Sequence, residues 1–166
     1  MSQNQEYHNI TTILDNPQQP ITKQQIQELQ SKQGTPEYKI LWEKYIHRTE
    51  QKAKDYDEHR VNIKMLGYTT ASYLLERVLN VKPDESFIKI IKNNFGYDLE
   101  GMEDFNLWLS ADMYIDIITV YSNLAKIWCN KYGYELVAFL EAPEKSKSVP
   151  EIKHYHLFIS QSKSIT

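Results

Sequence analysis

The chain has 166 residues, 41% of them apolar and 25% charged, a globular composition that supports one core and excludes a wholly disordered polymer. Its net charge of −3 hides no basic half: residues 67–132 hold six Lys and Arg against nine Asp and Glu, and residues 35–66 hold seven against six. A protein built chiefly to grip a phosphate backbone is therefore disfavoured, and twelve tyrosines point instead to contact surface.

Residues 1–20 are rich in Gln and Asn, with Ile10, Ile13 and Leu14 as their apolar cluster, and are expected to form a flexible arm. A single domain is expected over 21–160, followed by a disordered tail over 161–166. Thr22 with Gln25 three residues on makes a capping box, and Ile21 before the cap can staple to Ile26. That helix ends at Gly34. Thr35, Pro36 and Glu37 then open a second helix whose pattern runs without a breaker to Gly67. Its seam of Tyr38, Leu41, Trp42 and Tyr45 is apolar, while its middle is charged, with Tyr56 and His59 further along.

After Gly67, Thr69 or Thr70 caps a short helix bearing Leu74, Leu75, Val78 and Leu79. Lys82-Pro83-Asp84-Glu85 is expected to open another, bearing Phe87, Ile88, Ile91 and Phe95. The richest apolar stretch, residues 103–132, reads as one long helix with a stripe through Leu107, Ala111, Tyr114, Ile118, Tyr121, Ala125 and Trp128. It carries a polar row from Asp112 and Asp116 to Asn130. Beyond Gly133 the β-formers of Tyr134–Glu141 and His154–Ile159 read as two antiparallel strands joined by a long connection. The predicted fold is mainly α (α+β): a helical bundle of about five helices around the central apolar helix 103–132, with a C-terminal antiparallel two-stranded element.

Several residue sets could carry chemistry. Glu43 with His47 and Asp55 with His59 are carboxylate–imidazole pairs at i, i+4, but twelve residues of helix rotate one pair by about 120° from the other, so they cannot share one ion. Asp112 and Asp116 stand at the spacing that binds Mg²⁺ in helical nucleotide hydrolases, yet the second acidic cluster such sites need is missing from the sequence. That metal reading stays an alternative, and a solvated face is expected. His154 and His156 alternate along a strand and so point the same way, as in some metal sites and phosphoesterases; an exposed strand face is the plainer reading. Cys129 lacks a neighbouring His and reads as structural. Residues 67–94 offer a helix-turn-helix with Lys89 and Lys92 toward nucleic acid, but the second element lacks a base-reading face.

With no catalytic constellation outweighing its plain structural reading, the expectation is a non-catalytic protein–protein interaction module, an adaptor, inhibitor or regulatory subunit. Tyr38, Trp42, Tyr45, Tyr56 and His59 are its candidate contact residues, and a strand edge adds to them. The expected partner is a protein, with a second copy of the chain as the simplest case. No cofactor is expected. A lone cysteine, no recognisable leader and no apolar run of about 18 residues predict a cytoplasmic protein outside the membrane.

Overall fold

The computed structural model describes residues 18–162. The predicted arm, apart from residues 18–20, and the end of the predicted tail, residues 163–166, lie outside the described residues. The capping box is formed: Thr22 Oγ1 accepts from the Gln25 amide at 3.2 Å, and the Thr22 amide donates to Gln25 Oε1 at 3.0 Å. It opens α1 (Lys23–Lys32), whose Ile26 and Leu29 are fully buried together with Ile21.

The uninterrupted helix expected from Pro36 to Gly67 is two helices, α2 (Glu37–Tyr45) and α3 (Glu50–Met65). The chain turns extended at Ile46, and Thr49 restarts the helix by accepting from the Lys52 amide at 3.1 Å. Tertiary partners explain the break. The His47 carbonyl accepts from the Asp98 amide at 2.9 Å, and Arg48 Nε donates to the Phe95 carbonyl at 2.6 Å. Those bonds outweigh the weak propensity of a stretch with little apolar surface to hold it helical.

Thr69, boxed with Ser72, caps α4 (Thr70–Tyr73), which widens into a π-type turn at Leu74–Val78. The next element is a strand rather than the second helix of a helix-turn-helix: β1 (Ile88–Lys92) pairs antiparallel with β2 (Glu103–Leu109). The β-branched run Ile-Lys-Ile-Ile-Lys favours that choice once a partner strand is present.

The long central helix expected over 103–132 is likewise overturned. Its first third is β2, a 3₁₀ turn occupies Ala111–Met113, and only Ile118–Tyr132 is helical (α5). Asp-Phe-Asn-Leu-Trp-Leu alternates, so Phe105, Leu107 and Leu109 pack under α5 while Asp104, Asn106 and Trp108 face the other way. Gly133, left-handed at φ 74°, ends α5 and turns the chain into β3 (Tyr134–Leu140).

The two C-terminal strands are antiparallel as expected, but they are not a lone pair. β4 (Lys153–Gln161) lies inside a four-stranded antiparallel sheet of order β1-β2-β4-β3. The fold is therefore α+β, with five α-helices and this sheet among the described residues, and not a helical bundle. One sheet face is sealed by α5 through Tyr121, Ala125 and Cys129. Tyr38 and Trp42 of α2, with α1, cover the β3 side of the other face. Among the described residues no helix is long and apolar enough to cross a membrane.

Candidate functional site

The sheet face opposite α5 should be plain core, yet its two central strands carry polar side chains. The register sets Asn106 beside His156 and Trp108 beside His154, and places Asp104 opposite Phe158. All four polar residues are buried: Asp104 is 3% exposed, Asn106 and His156 5%, and His154 6%. The two imidazoles do point the same way, but into the protein, which corrects the exposed strand face expected for them. Burying such groups unpaired would cost several kcal/mol, so where their hydrogen bonds go decides what the site can do.

His156 Nδ1 lies 3.0 Å from Asp104 Oδ1 and 3.2 Å from Oδ2. Nδ1 carries a single hydrogen, and the buried carboxylate takes it. The Asn106 amide, 3.0 Å from the same nitrogen, gives a hydrogen of its own to the Phe105 carbonyl at 3.2 Å. Asp104 is held in turn by Asn93 Nδ2 at 3.1 Å. His154 Nδ1–H donates to the Ile152 carbonyl at 2.9 Å. Both rings thus use Nδ1 for a bond within the protein and leave Nε2 as the atom that can meet a ligand. Burial, reinforced by the neighbouring His156, pushes the His154 pKa down to about 4, so this ring is neutral at physiological pH.

Both rings line a cavity of about 280 Å³ enclosed by the sheet, α3, α4 and the β3–β4 connection. Its walls are aromatic. Trp108 stacks on His154 at 4.2 Å, His59 stacks on Phe95 at 4.6 Å, and Tyr56 meets Phe95 edge-on. Arg48 lies over Tyr56 and Tyr97 at 4.8 and 5.0 Å, and no carboxylate pairs with it among the described residues. Burial first, then Asp104, raises the Tyr97 pKa well above the usual phenol value, so its hydroxyl stays a donor.

Lys147 and Lys92 also line the cavity, each tied to a glutamate: Lys147 to Glu141 at 2.7 Å and Lys92 to Glu103 at 3.8 Å. Among the described residues no Asp or Glu side chain lines the cavity. The Trp108 indole N–H, buried in this wall, has no acceptor among the described residues. The arrangement can receive an anion, stack an aromatic ring and offer two imidazole nitrogens. Among the described residues no three His, Cys, Asp or Glu side chains come together, so the two rings alone do not complete a metal centre.

The residues singled out from the sequence scatter. Tyr38 and Trp42 are core, 8% and 3% exposed, with Tyr38 Oη donating to the Glu141 carbonyl at 2.7 Å. Tyr45 bonds Glu28 at 2.8 Å on the surface, while Tyr56 and His59 reach the cavity wall. His47 turns away from Glu43 and faces Asp98 at 3.6 Å. Asp112 and Asp116 sit on the exposed approach to α5 rather than within an α-helix, Asp112 accepting from Ser86 and Asp116 from Tyr114 at 3.1 Å. Lys89 donates to the Leu79 carbonyl at 2.7 Å. The expected strand edge is half covered as well: Gln30 and Gln33 take the Phe139 and Glu141 amides at 2.8 and 2.9 Å.

Asp104, Asn106, Trp108, Tyr97 and Arg48 escaped the sequence reading. Polar residues alternating with Phe105, Leu107 and Leu109 were the available signal, masked by reading that stretch as helix.

No family model matches the chain, and neither does any curated protein. A solved structure described as the crystal structure of HTC1 is similar over 69% of this chain and 75% of its own, at 17% identity and a TM-score of 0.44.

Proposed function

We propose that the protein binds a small phosphorylated ligand bearing an aromatic ring, of the nucleotide class, in the cavity over the His154–His156 face. One observation carries this reading: among the described residues, a buried lining without carboxylates nonetheless holds Arg48 without a carboxylate partner and the Trp108 N–H without an acceptor. A buried donor left unmade costs about 1–3 kcal/mol, which an oxygen of the ligand recovers. Arg48 supplies the charge a phosphate needs, and the aromatic walls supply a stacking slot. A volume of about 280 Å³ lies just under the usual range of ligand pockets, which begins at roughly 300 Å³, and so fits only a small ligand.

Calorimetry with a panel of mononucleotides, nucleosides and inorganic phosphate tests it. A mononucleotide should bind best. Arg48→Ala should weaken it roughly 10- to 100-fold, the value of a charge-assisted hydrogen bond. No heat and no rise in Tm with any phosphorylated compound at millimolar concentration would overturn it.

A protein-partner role is a second reading, which the apolar outer face of α5 favours over the tyrosines of α2.

A further inference from the structure

His156 is tied into the sheet by one nitrogen alone. Its Nδ1 meets the Asp104 carboxylate at 3.0 and 3.2 Å, and among the described residues its Nε2 has no hydrogen-bond partner although the ring lines the cavity. Asp104 is the less expected member of the pair. A buried carboxylate ordinarily takes a Lys or Arg, yet among the described residues its side chain meets only His156 and the Asn93 amide at 3.1 Å. A buried acid that spends its charge on an imidazole fixes the ring's orientation. It also offsets the positive charge the ring gains when its far nitrogen takes a proton.

We propose that the Asp104–His156 pair makes the cavity a hydrolytic site for cyclic nucleotide phosphodiesters, with His156 Nε2 as the base that activates water and then the acid that protonates the leaving oxygen. This rests on the nucleotide reading above and adds a reaction to it. Charge selects the diester. Lys147 and Lys92 are held by Glu141 and Glu103, which among the described residues leaves Arg48 as the lining cation without a carboxylate. One guanidinium matches the single charge of a diester, whereas a monoester dianion resists nucleophiles and carries charge that the site leaves unmatched. Size selects the ring: a cyclic diester is a mononucleotide less one water, the compact form for a cavity of about 280 Å³, which a dinucleotide would overfill.

As the water oxygen bonds to phosphorus, its proton passes to His156 Nε2, and Asp104 faces the imidazolium so formed. The phosphorus–oxygen bond to the sugar then breaks, the leaving oxygen keeps the electron pair, and the proton on Nε2 passes to it. The product is the ring-opened monoester, and His156 ends as it began. His154, its ring 5.8 Å from that of His156 and bonded through Nδ1 to the Ile152 carbonyl, accepts from the same water through Nε2. Arg48 lies 5.0 Å from the Tyr97 ring and His156 5.5 Å from it, so guanidinium and base neighbour the same ring. Asp104, which touches no reacting atom, is a positioning residue.

The full chain, with EDTA present against contaminating metal-dependent esterases, is incubated with 2′,3′-cyclic and 3′,5′-cyclic nucleotides in ¹⁸O-labelled water. Phosphorus NMR and mass spectrometry should show a monoester carrying one labelled oxygen from at least one of them. His156→Asn, whose amide can still donate to Asp104, should lower kcat roughly 100- to 10,000-fold while calorimetric affinity for the cyclic nucleotide stays within about threefold. Asp104→Asn should lower kcat about 10- to 100-fold at unchanged KM, a split that a merely structural role would not give. Independently of any variant, diethyl pyrocarbonate should stop turnover by the natural chain, and bound cyclic nucleotide should protect it. A natural chain that binds a cyclic nucleotide without opening it overturns the hydrolytic proposal and leaves the binding reading standing; no binding of any cyclic or open nucleotide overturns both. Turnover that survives in folded His156→Asn, or in protein shown by mass spectrometry to be carbethoxylated at His156, also overturns it.

Discussion

His154 makes the stability of the fold depend on pH in a window of its own. Its folded pKa of about 4 lies below the unfolded value of 6.5, so below pH 6.5 the unfolded chain binds a proton that the folded chain refuses. Stability is therefore fully present above pH 6.5 and falls as pH drops toward 4. The gap between about 4 and 6.5 limits the total to about 3 kcal/mol, of which about 2 kcal/mol is already lost at pH 5 relative to pH 7. His59, lowered by burial, acts in the same direction, so the assay is a difference. Urea unfolding at pH 7 and pH 5 is compared for the natural chain and for His154→Gln, which keeps an amide donor for the Ile152 carbonyl. The natural chain should lose about 2 kcal/mol more than the variant between the two pH values. Equal losses would mean that His154 is hydrated or charged in the folded state, and the buried imidazole face would then be wrong.

Gln33→Ala removes two bonds to the backbone of the β3 edge, the Glu141 amide at 2.9 Å and the Phe139 carbonyl at 3.2 Å, and should cost about 1–2 kcal/mol in chemical denaturation. Burial pushes the Glu141 carboxyl up, but hydrogen bonds from Lys147 and Lys153 at 2.7 and 2.6 Å outweigh it and hold it below the usual range. Glu141→Gln leaves the Lys147 ammonium, 7% exposed, with only the exposed Glu144, a loss of about 2–3 kcal/mol measurable by the same assay. The Cys129 thiol, pushed up to about 11 by burial, should be silent to a thiol reagent at pH 8 and react fully in urea. Asp112→Ala and Asp116→Ala should leave nucleotide affinity in calorimetry unchanged, because both carboxylates lie outside the cavity lining.

Caps and left-handed glycines were the most legible parts of this fold. Thr22 with Gln25, Thr69 before α4, and Gly133 after α5 act locally, through bonds that reach at most a few residues. Strand pairing is not local, and that is where helix was expected in place of strand. Ile88–Lys92 and Glu103–Leu109 each hold enough apolar residues to satisfy a helical stripe as well as an alternating one. Only their mutual register, Ile88 with Leu109 through Lys92 with Phe105, decides for sheet. The break at Ile46–Thr49 has the same origin, since its partners, Phe95 and Asp98, are some fifty residues away.

The candidate site was hidden for a related reason. A half-exposed strand alternates apolar with polar, so His154 and His156, separated by Tyr155 and followed by Leu157, look like the wet side of β4. In an internal strand of a sheet covered on both faces that inference fails: the polar set lies under α3 and α4, and water must be replaced by something else. Asp104 and the Ile152 carbonyl replace it on Nδ1 of each ring, which satisfies half of each imidazole and aims the other half at the cavity. A face built only for packing would have no use for four buried polar groups, because apolar residues of similar volume fill such a layer at lower cost. Their retention beside Arg48 and the Trp108 N–H, which has no acceptor among the described residues, is what singles out this helix-covered sheet face as the candidate site.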